Sequence, residues 1–330
     1  MNKFLYLSEK DVDEIVKDNY DVAINAVTDA LMMMANGSTI QPDKSSQIFD
    51  DFYQNRINCM ASTLKNENVC GVKWVSVFPS NKEKGLKNVE GFTSLSEIET
   101  GSLICFMNAT KSTSLRTAAM GAIAAKYLAK QDATSIGFIG AGEEAKAHLN
   151  LIKYTIPTIK TCYVSSRTDR STSSFVNELQ TKWPDITFVD CHNKYGDAVV
   201  NADIIVTAIS SQEKVLKANW IKDGALYIHV AGLEDEFAVA KKASKIVCDC
   251  WDCVKHRAQT ITQMYHQGIL KEDDIYADIS EIIEGKKRGR ENNKEFIYFN
   301  SVGLSVEDVL LCDRIYKLAI KNNIGTWINK

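Results

Sequence analysis

The segment SIGFIGAGEEAKAHLNLIKY, Ser135 to Tyr154, leaves this chain the fewest folding options. An apolar strand pattern stops at Gly140. Gly142 and Ala145 then complete a G-x-G-x-x-A spacing, and a helical period takes over, with Ala145, Leu149 and Ile152 on one face. Gly140 permits the tight turn, Gly142 lets the backbone approach a pyrophosphate, and Ala145 allows close packing of helix on strand. The helix start adds amide donors and the positive end of a dipole. Gly140, Ala141, Gly142 and Glu143 are therefore expected to hold a dinucleotide. From Ser135 onward apolar strands alternate with amphipathic helices, in TCYVSS, ITFVD, ADIIVTAI, ALYIHVAG, KIVCD and FIYFNSVG. That alternation predicts a parallel sheet covered on both faces, a Rossmann domain.

The tip of the next strand reads Ser165, Ser166, Arg167, Thr168, with Arg170 shortly after and no acid at the tip itself. An acid there would hold a ribose 2′-hydroxyl and repel a 2′-phosphate, whereas serine hydroxyls and arginine accommodate the phosphate. NADP(H) is favoured over NAD(H), and Asp169 keeps the second option open.

The first hundred residues follow a different grammar. A helical pattern runs from Val12 to Ala35, closed by Gly37; strand-like runs follow at Arg56–Ser62, Cys70–Phe78, Gly91–Ser96 and Ser102–Met107. With turn-rich and lysine-rich connectors, they predict an α+β domain on a mainly antiparallel sheet. A helix from Ser114 to Ala129 and another from Val306 to Ile320 complete the expected elements. At 330 residues two domains are expected. The first is residues 1–113, with 305–330 returning to it, and the Rossmann domain is 114–304. The first domain is too small to cover both faces of its sheet, which points to a homodimer.

Thirty-nine basic against 42 acidic residues exclude a dominant nucleic-acid or anionic-lipid footprint, so the partner is a small molecule. No stretch approaches the roughly 20 apolar residues of a membrane span, and the N-terminus lacks the apolar core of a signal peptide. A cytoplasmic location is expected. Nine cysteines, scattered through apolar runs, fit a reducing compartment. Cys248, Cys250 and Cys253 in IVCDCWDC lack a fourth ligand group and are read as small buried hydrophobes, with no metal expected. His148, His192 and His256 are expected to be solvated, and His229 to be a packed core histidine.

Four blocks in order, GVKWV at Gly71–Val75, SLRTAA at Ser114–Ala119, GFIGAGEEA at Gly137–Ala145 and FNSVGLSVED at Phe299–Asp308, resemble the ornithine cyclodeaminase/mu-crystallin family. IQPDK, NRINCMAS and NIGTWIN are similar to its diaminopropionate-forming branch, the N-(2-amino-2-carboxyethyl)-L-glutamate dehydrogenases. The resemblance implies an oxidoreductase acting on an α-amino acid or its imine, bound between a dimerising domain and a Rossmann domain. By the motif match, Arg116 would take the substrate α-carboxylate, where its planar fork gives two parallel charge-assisted bonds. Lys73 would transfer a proton, with burial lowering its pKa, although a lysine paired to a structural acid is the competing reading. Lys44 stands where other branches carry a second carboxylate-binding arginine, and Arg56 either adds positive charge to the same pocket or faces solvent at a strand start. Glu234, in AGLEDEF, is the best positional match to the family's site aspartate, with Asp235 the fallback. Loss of the G-G-D-C-P loop argues against ornithine cyclisation. Thr207 and Ala208 resemble the strand end that lines the dinucleotide, and Val302 and Gly303 the segment approaching the nicotinamide. Three alternatives stay open: an NADPH-dependent ketimine or Δ1-pyrroline-2-carboxylate reductase, an amino-acid cyclodeaminase, and a mu-crystallin-like NADPH-binding protein without turnover.

Overall fold

The computed structural model describes residues 2–209, 213–230 and 232–330, and of residue 82 the backbone alone. It is an α/β protein of two compact units, Met1–Arg116 with Gly303–Lys330, and Thr117–Val302.

In the first unit, strands β1 (Lys3–Leu7), β2 (Thr39–Ile40), β3 (Ser45–Ile48), β4 (Arg56–Leu64), β5 (Val69–Val77), β6 (Val89–Glu97) and β7 (Leu103–Asn108) join a closing strand, Thr326–Asn329, in one sheet. All pairings are antiparallel except β1 with β7. The outer two strands carried no sequence signal: β1 is five residues long, and all four residues of the closing strand are exposed, so neither makes a long alternation. The expected helix Val12–Ala35 is two helices, α1 (Glu9–Val16) and α2 (Tyr20–Ala35). Ser8 and Asp11 form a capping box on α1, and Asp18, at φ 58°, turns the chain between the two helices. The C-terminal helix Ser305–Asn322 packs on α2 and on β4, β5 and β6. Along β5 the inward positions are Val69, Gly71, Lys73 and Val75, which puts a lysine in an otherwise apolar row.

The expected Ser114 helix starts earlier, as α3 (Thr110–Leu128), and the division between units falls within it. The second unit holds β8 (Ser135–Ile139), β9 (Thr161–Ser165), β10 (Thr187–Asp190), β11 (Ile204–Thr207), β12 (Leu226–His229), β13 (Lys245–Cys248), β14 (Ala277–Asp278) and β15 (Ile297–Asn300). Their order is β10-β9-β8-β11-β12-β15-β13-β14, all parallel. The chain reverses direction of travel at β8/β11, the switch point where such sheets open a crevice beyond their carboxyl ends. Helix α4 (Glu143–Thr155) follows β8 there. Strand β13 ends at Cys248, and Cys250 caps the short helix Trp251–Val254. His148 is also not solvated: it lies fully buried on α4, its Nδ1 2.8 Å from the Glu144 carbonyl. Among the described residues no helix is long and apolar enough to cross a membrane.

Candidate functional site

Chemistry-bearing side chains gather at two places, one in each unit. In the first, Lys73 on β5 is 1% exposed and its Nζ donates to Asp308 Oδ1 at 2.6 Å. Arg116, near the middle of α3, donates Nε to the same oxygen at 3.0 Å, and its Nη1 lies 3.6 Å from Glu307 Oε2. Both acids are buried at the first turn of the C-terminal helix, where carboxylates suit the positive end of the helix dipole. Two cations and two anions thus compensate each other in an apolar surrounding that would tolerate none of them alone. Burial lowers the Lys73 pKa, the nearby Arg116 charge lowers it further, and Asp308 opposes both. Lys73 and Arg116, expected from separate motifs, are joined by Asp308.

The sequence motifs assign no role to Asp308 or Glu307. The signal was present, however: adjacent acids flanked by Val306, Val309, Leu310 and Leu311 leave no solvent-facing stripe on that helix turn. Gly303 was expected beside the nicotinamide. It sits at φ 73°, and a Cβ there would lie 2.1 Å from Arg116 Nη1, so the bare backbone makes room for the guanidinium. Arg56 starts β4 on the same sheet face as Met60, the register partner of Lys73. Four residues of strand separate the two, roughly 13 Å. Its Nη1 donates to the Gln54 carbonyl, and burial lowers its pKa. Lys44 is half-buried in the irregular segment ahead of β3.

In the second unit the loop after β8 has the shape its glycines imply. Gly140 adopts φ 110°, and a Cβ would meet the Ala208 carbonyl oxygen at 2.5 Å. At Gly142, the residue capping α4, a Cβ would meet nothing within 4 Å. Open space above a helix N-terminus is the cradle a pyrophosphate requires, so these residues fit a nicotinamide dinucleotide. Ala141 is buried and Glu143 exposed beside it. At the tip of β9 the Ser165 hydroxyl donates to the His192 carbonyl and the Ser166 hydroxyl to that of Thr168, while Arg167 and Arg170 are exposed. Asp169 lies 3.1 Å from His192 Nδ1. Thr207 ends β11 with its hydroxyl 2.9 Å from that of Tyr227, and Ala208 abuts Gly140. The VTAIS and AGLEDEF readings reach Ser210 and Ala231, which lie outside the described residues.

His229, at the end of β12, is not simply packed. Its Nε2 lies 2.7 Å from Glu234 Oε2 and its Nδ1 2.6 Å from Asn300 Oδ1. Asn300 Nδ2 donates to Gln259 Oε1, which fixes its Oδ1 as an acceptor, so both ring nitrogens face acceptors and the ring is an imidazolium. Burial pulls its pKa down, but Glu234, Asp235 and Asn300 raise it, to about 9. Glu234 is fully buried and takes a second hydrogen bond from the Gly232 amide; Asp235, also buried, accepts one from Tyr298. Gln259 continues the chain to the Ser301 carbonyl, and Asp249 receives the Ser301 hydroxyl and the Val302 amide at 2.9 and 2.7 Å.

A folded pKa near 9 against about 6.5 unfolded means that the pair stabilises fully below pH 6.5 and that the contribution is lost as pH rises through 9. The expected result is a melting temperature that falls between pH 6.5 and 9.5 by more in the wild type than in a His229→Gln/Glu234→Gln double variant. Equal falls would show that the ring is neutral in the folded protein.

The chain matches the ornithine cyclodeaminase/mu-crystallin family over residues 5–323. It is similar to a solved Δ1-pyrroline-2-carboxylate reductase of Thermococcus litoralis in complex with NADH and L-proline, with a TM-score of 0.92, 29% identity, and coverage of 98% of this chain and 99% of that one. An archaeal alanine dehydrogenase dimer with bound NAD gives a TM-score of 0.88 and 30% identity over 99% of both chains. The N-((2S)-2-amino-2-carboxyethyl)-L-glutamate dehydrogenase of Staphylococcus aureus is 28% identical over 100% of this chain and 99% of its own.

Proposed function

The chain belongs to the ornithine cyclodeaminase/mu-crystallin family, and from that premise we propose that it oxidises N-(2-amino-2-carboxyethyl)-L-glutamate, releasing 2,3-diaminopropionate and 2-oxoglutarate. In coarser terms it is an NAD(P)-dependent oxidoreductase of the amino-acid dehydrogenase or imine reductase type. The observation that carries the reading is the buried Lys73–Asp308–Arg116 cluster. It combines a carboxylate-binding fork with a lysine whose pKa is lowered, the two groups that chemistry at an amino-acid α-carbon needs.

A bound nicotinamide dinucleotide supplies the hydride acceptor. Arg116, held by Asp308 at Nε and facing Glu307 at Nη1, takes the substrate α-carboxylate with its guanidinium. Lys73 accepts a proton from the substrate ammonium, freeing the nitrogen lone pair before hydride leaves, or from the water that hydrolyses the imine. Glu234 takes the proton released as the imine forms; its Oε1 has no hydrogen-bond partner among the described residues. Lys44 and Arg56 add positive charge for the distal carboxylates. Gly140, Ala141, Gly142 and Glu143 cradle the pyrophosphate. Arg167 and Arg170, with Ser165 and Ser166, favour NADP(H) over NAD(H), and Thr207, Ala208 and Val302 line the dinucleotide. A homodimer is supported by the outer face of the first unit's sheet. Tyr6, Phe106 and Phe92 stack there, 6.4 and 5.4 Å apart, and Trp74, 44% exposed, is the register partner of Phe92.

The second reading, reduction of a cyclic imine with NADPH, is favoured by the acid-free tip of β9. Nicotinamide absorbance with synthetic N-(2-amino-2-carboxyethyl)-L-glutamate, offering NAD+ and NADP+ separately, tests the proposal. Turnover with both products formed is expected, faster with NADP+. No turnover on this substrate, together with oxidation of NADPH by Δ1-pyrroline-2-carboxylate, would replace it with the second reading; tight NADPH binding and silence on both would indicate a binding protein.

A further inference from the structure

We propose that Cys250 and Cys253 are a reversible dithiol–disulfide pair, a modification site that closes on contact with a low-molecular-weight disulfide. The two thiols stand in a C-x-x-C spacing over one short helical turn, Trp251–Val254, and the Cys250 Sγ–H donates to Cys253 Sγ at 3.0 Å. Forming the bond needs a movement of about an ångström, since a disulfide is about 2.05 Å long. Accessibility orders the two roles. Cys253 is partly accessible and Cys250 is buried, so Cys253 is the attacking thiol and Cys250 the resolving one.

The hydrogen bond from Cys250 lowers the Cys253 pKa and Arg257 assists, against burial and the charges of Asp249 and Asp278; Cys250 is raised by the same hydrogen bond and by burial. The buried Cys105, Cys162, Cys191, Cys248 and Cys312 are all pushed up, chiefly by burial, which leaves them poor nucleophiles.

The chemistry balances in two displacements. Cys253 thiolate attacks one sulfur of the small disulfide, the small S–S bond breaks, and one small thiolate leaves. Cys250, losing its proton, then attacks Cys253 Sγ, the mixed disulfide breaks, and the second small thiolate leaves. Two protein thiols are oxidised and one small disulfide is reduced to two thiols. The bond forms beside Asp249, whose Oδ1 receives the Cys250 amide and whose Oδ2 pins Ser301 and Val302.

The test uses the full chain, reduced, desalted, incubated with oxidised glutathione, quenched in acid and mapped by fragmentation of the Ile246–Lys255 peptide. The wild type, and equally a Cys248→Ser variant, should lose two hydrogens to a Cys250–Cys253 bond that dithiothreitol reverses. Cys250→Ser should instead retain glutathione on Cys253, and Cys253→Ser should retain far less on Cys250. A wild-type peptide that stays fully reduced, or equal glutathione on the two single variants, would overturn the proposal.

Discussion

Replacing Lys73 with alanine is expected to lower kcat by about 10²–10⁴, the usual worth of a positioned proton-transfer group, with little change in KM for the amino acid. The fold should survive. Breaking a buried pair commonly costs about 3–5 kcal/mol because the remaining charge is orphaned, but here Asp308 Oδ1 keeps its hydrogen bond from Arg116 Nε. Steady-state kinetics on purified Lys73→Ala, beside a melting curve, check both halves. Unchanged kcat in a folded variant would remove Lys73 from the chemistry and leave it the structural partner of Asp308.

The same geometry makes Asp308 a positioning residue with a readout of its own. Its charge opposes the lowering of the Lys73 pKa, so Asp308→Asn should lower that pKa further. If Lys73 acts neutral in the oxidative direction, activity rises with pH as it loses its proton, and the variant's rising limb should move to lower pH. A purely structural acid would reduce stability and leave the limb where it was.

Arg116→Ala should act on binding instead. Removing one partner of a buried charged interaction costs about 2–5 kcal/mol, a rise in KM of roughly 30-fold to several thousandfold. Arg116→Lys should rescue little, because an ammonium lacks the planar fork. Gly303 offers a sharper version. Gly303→Ala places a methyl 2.1 Å from Arg116 Nη1 and forces a side chain into φ 73°, a conformation costing about 1–2 kcal/mol outside glycine. KM for the amino acid should rise about tenfold or more while KM for the dinucleotide stays within about twofold. The reverse pattern would show that Gly303 serves the nicotinamide segment, as the motif match implies.

The clearance of Gly303 for Arg116 shows where the sequence stopped being informative. The strand-turn-helix at Gly140, the parallel grammar after Ser135 and the antiparallel strands before it were legible because each rests on residues within one or two turns of one another. Lys73 and Arg116 were legible as motif matches. The burial of Asp308 was legible from the apolar residues around it, but its pairing was not, because its partner Lys73 is 235 residues away. A central strand predicts a buried His229, and the residue is buried. Burial alone implies a neutral ring, and only the placement of Glu234 and Asn300 on its two nitrogens makes it an imidazolium.

The sequence by itself determined the parallel and antiparallel halves of the fold, the glycine turn after β8 and the residue types available for amino-acid chemistry, because turn geometry and periodicity are local. The tertiary structure decided which charges share a buried site, which cysteine attacks and which resolves, and what Gly303 makes room for. Those outcomes depend on desolvation and on distances between groups remote in the chain, and a spacing pattern carries neither.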